Sequence, residues 1–412
     1  MGSKVDIEQA RQLVNSHLDE VSSQLREVNR AIHDNPELAY KEFQAHDTIT
    51  SFLEKQGFDV KRKTWGLDTS FEATIGSGGR QVVVCCEYDA LPDIGHGCGH
   101  NLIATSSIAA FLGAAHALSK LGVPGRLRIL GTPAEEGGGG KAKLITAGAF
   151  NPPEDIAASI MAHPMSIHRL IGSGGSQVSG IAGLDLIASF KFRVEFRGVT
   201  AHAAGEPWNG VNALDAAVAA YNNVSLLRQQ IRPDERIHGV IEVGGTVPNV
   251  ITDYTRMNWY VRAPTTKRGE LLMERVKACM EAAAAATACK VNYIPTDTYE
   301  SVMSNPVLCK TYIEDMAVLG EKVDMKLLES FNASTDMGNV THVVPGIHSG
   351  FGIQTAPNVS LHSREFAAAA GTDDSHEVAM KSGKGMAMLA IRVLVDDAIA
   401  ESARAEFNKR YD

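Results

Sequence analysis

The sequence predicts an α/β fold in which a mostly parallel sheet is flanked by helices, with an inserted ferredoxin-like (βαββαβ) domain. Three observations lead to this prediction. Short apolar runs alternate with helical segments before Leu184, which is typical of a parallel sheet. From Leu184 onward the order of elements is βαββαβ. The length of 412 residues also exceeds what one hydrophobic core usually supports. We therefore expect a first domain over 1–184 and 298–412, and an inserted domain over 185–297.

The first domain begins with two helical segments, followed by strands and helices in alternation. Apolar residues recur at three- and four-residue intervals from Val5 to Ile32, which predicts an amphipathic helix that ends before Pro36. Continuous apolar runs bounded by glycine or proline predict buried strands. The predicted helices cover 5–33, 41–56, 101–119 and 141–147, and the predicted strands cover 58–60, 71–75, 82–86, 125–130 and 156–162.

The insertion has its own series of elements, after which the first domain resumes. The insertion is predicted to contain strands over 184–196, 238–242, 254–262 and 290–294 and helices over 211–227 and 267–286. The resumed domain is predicted to contain a helix over 305–319, a strand over 346–353 and one long terminal helix over 371–400. The order within the insertion is that of a ferredoxin-like unit.

Composition and charge exclude several classes of partner. The formal net charge is -9 at pH 7 and no basic cluster offsets it, so nucleic acid and anionic membranes are not expected as partners. The first residues contain no apolar signal segment, and no run reaches the ~18 apolar residues of a membrane span. The six cysteines have no spacing typical of a disulfide framework. We therefore expect a cytoplasmic protein in a reducing compartment.

The stretch from Glu87 to Asn101 follows the buried strand 82–86 and contains the first candidate metal ligands. Glycines alternate there with histidine and cysteine, so the backbone turns tightly while Cys98 and His100 converge on one point. Thiolate and imidazole at the end of a strand make a metal half-site, in the place where open α/β sheets bind ligands. The alternative is that Cys98 and His100 form a structural pair in a loop.

Two further strand ends carry candidate ligands. Strand 125–130 runs into Glu135 and Glu136, whose adjacent carboxylates point to opposite sides of a turn, so that one can bind a metal while the other faces a bound water. The alternative is that both acids begin a helix, where they suit the helix dipole. Strand 156–162 ends in His163. The recurrence of metal-ligand residue types at three strand ends favours a metal centre.

Several motifs occur in an order that resembles one family of hydrolases. The motifs are Asp89-Ala-Leu-Pro92, Cys98-Gly-His100-Asn101, Thr132-Pro-Ala-Glu-Glu136, Ala162-His163-Pro164, Thr200-Ala-His202, Pro248-Asn249-Val250-Ile251 and the terminal His362. The chain resembles the zinc-dependent aminoacylase/carboxypeptidase superfamily of metallopeptidases, and within it the amidohydrolase branch. Its sequence is most similar to those of aminoacylase-like dipeptidases that cleave Xaa-Arg or β-alanyl-lysine dipeptides. The branch also contains p-aminobenzoyl-glutamate hydrolase.

The resemblance implies a metal centre with two divalent ions, zinc in the first place and manganese or cobalt as alternatives. The implied ligands are Cys98, His100, Glu136, His163 and His362. Counting supports two ions independently, because a catalytic zinc usually takes three protein ligands and five candidates are too many for one ion. Cys98 stands where other branches have a bridging aspartate, so its thiolate is expected to bridge the ions. Glu87 stands where other branches have a metal-binding histidine, but in the amidohydrolase branch that position is not a ligand.

The resemblance also assigns roles outside the ligand set. It implies that His202, supplied by the inserted domain of a partner subunit, stabilises the oxyanion, so a homodimer with a lid and dimerisation domain is expected. Asn249 and Arg262 are expected to bind the carboxylate of the substrate. The alternatives are a capped turn before a helix for His202, a plain turn for Asn249 and a solvated strand end for Arg262.

The residues and the resemblance together predict a di-metal hydrolase that cleaves the amide bond of an N-acyl amino acid or dipeptide. Glu135 would be the general base and acid for a metal-activated water. A first alternative is a cysteine hydrolase with Cys98 as nucleophile and His100 as base. This alternative gives the adjacent glutamates no role. A chelator would not abolish the activity of such an enzyme. A second is a non-catalytic or amide-forming protein of the same fold that acts on a specialised metabolite.

Overall fold

The computed structural model describes residues 5–329 and 331–409, which divide into two compact units. The first unit contains the residues up to Asp185, Val302–Phe331 and the residues from Thr335 onward. The second unit contains Leu186–Ser301 and Asn332–Ser334. The second unit is therefore an insertion in the sequence of the first.

Within the described residues, most helices and strands follow one another along the chain in the order that the sequence pattern indicates. The helices are α1 (Ile7–His33), α2 (Phe43–Lys55), α3 (His100–Leu121), α4 (Gly140–Thr146), α5 (Ala213–Leu227), α6 (Thr266–Thr287), α7 (Pro306–Val318), α8 (Met337–Val343), α9 (Arg364–Ala370), α10 (Asp373–Val395) and α11 (Asp397–Asn408). The strands are β1 (Val60–Arg62), β2 (Phe71–Ser77), β3 (Gln81–Cys86), β4 (Gly125–Gly131), β5 (Ile156–Ser166), β6 (Gly180–Ile181), β7 (Ala188–Arg197), β8 (Arg236–Val243), β9 (Tyr254–Ala263), β10 (Lys290–Pro295), β11 (Val323–Asp324) and β12 (Gly346–Ile353).

The first unit contains an eight-stranded sheet with the strand order β1-β2-β4-β3-β5-β12-β6-β11. The four strands in its middle, β4, β3, β5 and β12, run parallel to one another. The antiparallel pairs are β1 with β2, β2 with β4 and β6 with β12. Residues 82–86 of β3 are all buried, as expected for a parallel strand that helices cover on both faces.

Helices pack on both faces of this sheet. Helix α3 lies at the centre of one layer, where it contacts α1 and α10, and its residues 100–115 are all buried. On the other face, Leu144 of α4 and Met337 of α8 share a hydrophobic cluster with Val83 and Cys85 of β3. Helix α3 has the length and apolar composition of a membrane span, but it is the buried core helix of this unit.

The second unit is a four-stranded antiparallel sheet with the order β10-β7-β9-β8. Buried and partly exposed residues alternate along the whole of β9. Its buried residues Met257, Trp259 and Val261 share a hydrophobic cluster with Ala216 of α5 and Val276 of α6. This ferredoxin-like arrangement, together with the mostly parallel sheet of the first unit, confirms the predicted fold class.

The structure corrects the prediction near the end of the chain. A single helix over 371–400 is wrong, because α10 ends at Val395 and α11 begins at Asp397. Asp396 between them has an extended backbone, with φ -113° and ψ 106°, and its side chain accepts hydrogen bonds from the N–H groups of Ala398 and Ile399. Asp396 therefore caps the second helix. The sequence pattern does not predict four short elements, namely β6, β11, α8 and α9. Each is only two to seven residues long, which is too short to show a clear periodicity.

Candidate metal centre

The candidate ligands of the first unit lie together at the carboxyl ends of its parallel strands. Cys98 and His100 follow β3, Glu135 and Glu136 follow β4, and His163 lies in the last part of β5. His362 lies in the loop after β12. Because these four strands are neighbours in the sheet, residues that are far apart in the sequence meet at one edge.

The loop that carries Cys98 depends on a glycine where it packs against β5. Gly99 has a φ of 80° and precedes α3 as its N-cap residue. A Cβ at this position would lie 2.6 Å from Cγ of Pro164, so the left-handed backbone and the close packing both require glycine. His100 is consequently the first residue of the helix, two positions from Cys98.

The ring of His100 is oriented by a buried carboxylate. Nδ1 of His100 lies 3.0 Å from Oδ1 of Asp89, and both side chains are buried. The ring proton is therefore on Nδ1, which leaves Nε2 as the ligand atom. The other oxygen of Asp89 accepts a hydrogen bond from the N–H of Glu136 at 2.9 Å. Asp89 thus joins the loop after β3 to the turn after β4.

The turn with Glu135 and Glu136 is held from several sides. Ala134 has a φ of 62° and donates its N–H to Oε1 of Glu42 at 2.9 Å, and the hydroxyl of Tyr40 donates to the carbonyl of Gly138. The two acids do not begin a helix, since α4 starts at Gly140. The alternative of a plain helix start is therefore wrong.

The two remaining histidines reach the same place by different routes. Nδ1 of His163 donates to the carbonyl of Pro164 at 2.7 Å, so Nε2 is the ligand atom, and it lies 3.4 Å from Sγ of Cys98. The N–H of His362 donates to the carbonyl of Gly97 at 2.8 Å, and Nε2 of His362 lies 3.5 Å from Oε1 of Glu136. The side chain of His362 is 53% exposed, so this ligand borders solvent.

The ligand atoms form two triads that share one sulfur. Cys98, His100 and His163 form the first triad and Cys98, Glu136 and His362 the second, with the ligand atoms of each triad within 4.8 Å of one another. Each triad supplies three protein ligands, the usual number for a catalytic zinc. Over residues 5–329 and 331–409, the buried atoms Nε2 of His100 and Oε1 of Glu136 have no hydrogen-bond partner. Buried polar atoms normally have a partner, and a bound cation would be the partner of each atom.

Burial and neighbouring charge tune the protonation of the site. Burial, with His100 next to it, lowers the pKa of His163 to about 3, so its imidazole is neutral as a ligand must be. Burial and the Glu136 carboxylate raise the pKa of Cys98 well above its ordinary value. Burial and the carboxylates of Glu87 and Glu136 raise the pKa of Glu135 well above its ordinary value. A protonated Cys98 thiol is a poor nucleophile, which counts against the cysteine-hydrolase alternative.

Sequence reasoning gave no role to four buried polar residues around the ligands, namely Asp89, Lys141, Asp336 and His348. Asp89 orients His100 as described, and its place in the Asp89-Ala-Leu-Pro92 motif was the available signal. Lys141 lies fully buried between the carboxylates of Glu87 and Asp336. The ring of His348 packs at 82° against the ring of His163. No spacing in the sequence points to Lys141 or His348, because their partners are distant in the chain.

The other three predicted site residues lie in the second unit. His202 pairs with Val250 in an isolated bridge, and the N–H of Ala203 donates to the carbonyl of Asn249 at 3.0 Å. His202 and Asn249 are therefore neighbours. Arg262 lies near the other end of β9, where Nη1 donates to Oγ of Ser334 at 2.9 Å. Their roles stay predictions.

The ring of His202 has a defined tautomer. Nδ1 accepts hydrogen bonds from the N–H groups of Ala204 and Gly205 at 3.2 and 3.0 Å. The proton of the neutral ring is therefore on Nε2, which becomes the donor. His202 is exposed in the second unit.

The chain is similar to several known proteins. Residues 86–379 match the family model of the peptidase family M20/M25/M40. The chain is 39% identical to the Xaa-Arg dipeptidase of Mus musculus, over 98% of this chain and 94% of that relative. For the Xaa-Arg dipeptidase of Homo sapiens the identity is 38%, over 95% and 90%. One of the subunits of p-aminobenzoyl-glutamate hydrolase from Escherichia coli (strain K12) is 30% identical, over 66% and 59%.

Solved structures show the same fold. A dinuclear metal-binding peptidase of the M20 family from Bacillus subtilis has a TM-score of 0.66 and an identity of 20%, over 91% of this chain and 99% of that chain. At this identity the likeness concerns the fold. The two Xaa-Arg dipeptidases are similar in sequence as well, at 39% and 38% identity over nearly the whole chain.

Proposed function

The chain belongs to the peptidase family M20/M25/M40 and hydrolyses amide bonds, and we propose that it is a di-metal dipeptidase or N-acyl amino acid hydrolase. One observation carries the proposal. Two triads of ligand atoms share Sγ of Cys98, and a glutamate outside both triads, Glu135, stands beside them. This is the arrangement that hydrolysis by a pair of ions and one general base requires.

The proposed ligands are Cys98, His100 and His163 for one ion and Cys98, Glu136 and His362 for the other. A thiolate with imidazoles and a carboxylate suits zinc, and manganese and cobalt are the alternatives. Bound ions of this kind lower the pKa of water and polarise the carbonyl of the scissile amide.

Glu135 is the proposed general base and acid. Its carboxylate accepts the proton of the attacking water and then donates that proton to the nitrogen of the leaving amine. The Glu135 carboxylate lies 3.9 Å from Nε2 of His100, so the base stands at the edge of the first triad.

His202 is the proposed donor to the carbonyl oxygen that gains negative charge. The tautomer supports this role, because Nδ1 is occupied by two N–H donors and Nε2 carries the proton. Asn249, as a neighbour of His202, and Arg262 are proposed to bind the carboxylate of the substrate.

We further propose that the protein is a homodimer. Strand β8 is an edge strand, and Val240 and Ile241 on it are 60% and 42% exposed. Helix α5 exposes Tyr221 and Leu226, the latter at 76%. An open strand edge with apolar residues suits pairing with a second copy. Sedimentation equilibrium tests this state, and a monomer at all concentrations would exclude it.

The proposed substrates have a free carboxylate next to the scissile amide and end in a basic residue. The ligand set contains two anionic ligands, Cys98 and Glu136, against two divalent ions, so the site retains positive charge that attracts an anion. The relatives with Xaa-Arg in their names support a carboxy-terminal arginine, and lysine is its closest chemical equivalent.

The test is a panel of Xaa-Arg and Xaa-Lys dipeptides, including β-alanyl-lysine, beside N-acyl amino acids, assayed with zinc, manganese or cobalt. Each substrate is paired with the same compound carrying a carboxamide in place of the terminal carboxylate. We expect cleavage of the free acids and a sharp loss of kcat/KM for the carboxamides. Equal rates on acid and carboxamide would contradict the substrate class, and no cleavage of any amide would contradict the function.

A further inference from the structure

A buried lysine lies behind the metal centre and is not used by the mechanism above. Lys141, in the first turn of α4, has no exposed surface, and neither has Asp336; Glu87 is 1% exposed. Nζ of Lys141 donates to Oε1 of Glu87 and to Oδ1 of Asp336, the latter at 2.6 Å. The N–H of Lys141 donates to Oδ2 of Asp336 at 2.8 Å. Lys141 thus fixes two carboxylates, and the three residues come from three different parts of the chain.

Such a cluster is costly to bury. Removing an ammonium group and two carboxylates from water costs several kcal/mol for each ion, and replacement by apolar side chains is often neutral or stabilising. The cluster also carries one more negative than positive charge. Fold stability alone therefore does not explain why this cluster is present. Its position behind the metal centre indicates a role in that centre.

The second oxygen of Glu87 faces the metal centre. Oε2 lies 3.6 Å from Nε2 of His100, the nitrogen that Asp89 leaves available as a ligand. Within the described parts of the chain, neither Oε2 of Glu87 nor Nε2 of His100 has a hydrogen-bond partner, although both are buried. Glu87, His100 and Glu135 form a third group whose ligand atoms lie within 4.8 Å of one another.

The separation is that of groups around one cation. Within the two triads, Sγ of Cys98 lies 3.4 Å from Nε2 of His163, and Oε1 of Glu136 lies 3.5 Å from Nε2 of His362. Two ligands about 2.1 Å from a tetrahedral zinc lie about 3.4 Å apart. The 3.6 Å between Glu87 and His100 is of the same size.

We propose that Glu87 belongs to the metal centre, and that Lys141 and Asp336 hold its carboxylate so that Oε2 stabilises the ion bound at Nε2 of His100. Lys141 is then a positioning residue, which acts on the ion through Glu87. The inference rests on the metal-binding part of the proposed function. It adds a third carboxylate to the centre at a position that the resemblance to the amidohydrolase branch leaves without a role.

The test is Glu87→Gln, which keeps the size of the side chain and leaves Lys141 and Asp336 as a balanced pair. The matched control is Asp315→Asn, at a buried aspartate whose Oδ1 accepts from Arg11 at 3.0 Å. Competition with a chromophoric chelator measures the dissociation constant of each ion, and the visible spectrum of the cobalt-loaded protein reports the ligand field. Thermal unfolding of the metal-free proteins shows whether each variant folds.

We expect Glu87→Gln to weaken the binding of one ion about 10- to 100-fold, the usual effect of a residue that supports a ligand, and to change the cobalt spectrum. Asp315→Asn is expected to change neither. If Glu87→Gln does not fold, the neutral triple variant Glu87→Gln, Lys141→Met and Asp336→Asn carries the same expectation, since it leaves no unpaired buried charge.

A folded variant with both dissociation constants and the cobalt spectrum of the wild type would overturn the inference. This outcome is distinct from failure of the proposed function. A wild-type protein that binds no ion would contradict the di-metal proposal, whereas a wild type that binds two ions beside an unchanged variant would contradict only the role of Glu87.

Discussion

Glu135 and Glu136 are adjacent in the sequence but have different neighbours. Oε1 of Glu136 lies 3.5 Å from Nε2 of His362 and belongs to a triad with Cys98. Glu135 belongs to a separate group with His100 and Glu87. Replacing each carboxylate by the amide should therefore have different effects. A carboxylate that binds an ion is needed for metal binding, whereas a carboxylate that moves a proton is needed for the rate of the reaction.

We expect Glu135→Gln to keep both ions and to lose roughly 10²–10⁴-fold in kcat, the usual contribution of a general base. Glu136→Gln is expected to lose metal, because an amide oxygen is a weaker ligand than a carboxylate. Metal content by mass spectrometry, measured beside the kinetics, separates the two. Equal loss of metal in both variants would show the assignment of roles to be wrong.

Single residues differ in how well the sequence predicts their part in the site. Cys98 and His100 could be predicted because glycines around them force a tight turn at a strand end. Glu87 and Lys141 could not be, since the contact between them joins residues 54 positions apart and neither has a characteristic spacing. The partner of Lys141 at Asp336 is 195 positions away. Buried ion pairs depend on the tertiary fold, and one sequence contains no trace of such a pairing.

At the level of elements, the turn between β4 and α4 is the most constrained segment of the site. Gly140 begins α4, and a Cβ there would lie 1.7 Å from the carbonyl oxygen of Pro133, a backbone atom that has no freedom to move aside. The same turn carries Glu135 and Glu136. Packing at Gly140 therefore determines where both carboxylates lie.

Gly140→Ala is expected to lower the free energy of unfolding of the metal-free protein by about 1–3 kcal/mol, the usual cost of overpacking. It should also weaken metal binding, because the turn must shift. Gly174→Ala is the matched control, since a Cβ there meets nothing within 4 Å. Urea unfolding and metal titration of both variants check this, and the same stability for both would refute the close contact.

Helices and strands of the regular kind could be predicted from periodicity, whereas their exact ends could not. The prediction of a strand over 346–353 matches β12 residue for residue. The terminal helix over 371–400 is wrong because one capping aspartate, Asp396, interrupts a pattern that stays helical on both sides. Such a break occurs where a side chain takes the place of a backbone carbonyl as acceptor of the helix N–H groups. The periodicity of apolar residues does not reveal it.

At the level of the whole molecule, strand order brings the site together. β12 lies beside β5 in the sheet although the whole second unit lies between them in the sequence. The sequence predicts a parallel sheet and a ferredoxin-like insertion, and the structure confirms both. The sequence does not determine which strands are neighbours in the sheet, because several crossover orders satisfy the same pattern. The meeting of His362 with Cys98 and Glu136 followed from the resemblance and not from the pattern of elements.

The most direct test of the di-metal mechanism is a titration of metal-free protein with zinc, in which dipeptide hydrolysis is measured against the equivalents of ion bound. Native mass spectrometry gives the number of ions per chain at each point. We predict no hydrolysis in the presence of chelator, and full activity once two ions are bound per chain. Full hydrolysis by the metal-free protein in excess chelator would contradict the di-metal mechanism and favour a cysteine nucleophile at Cys98.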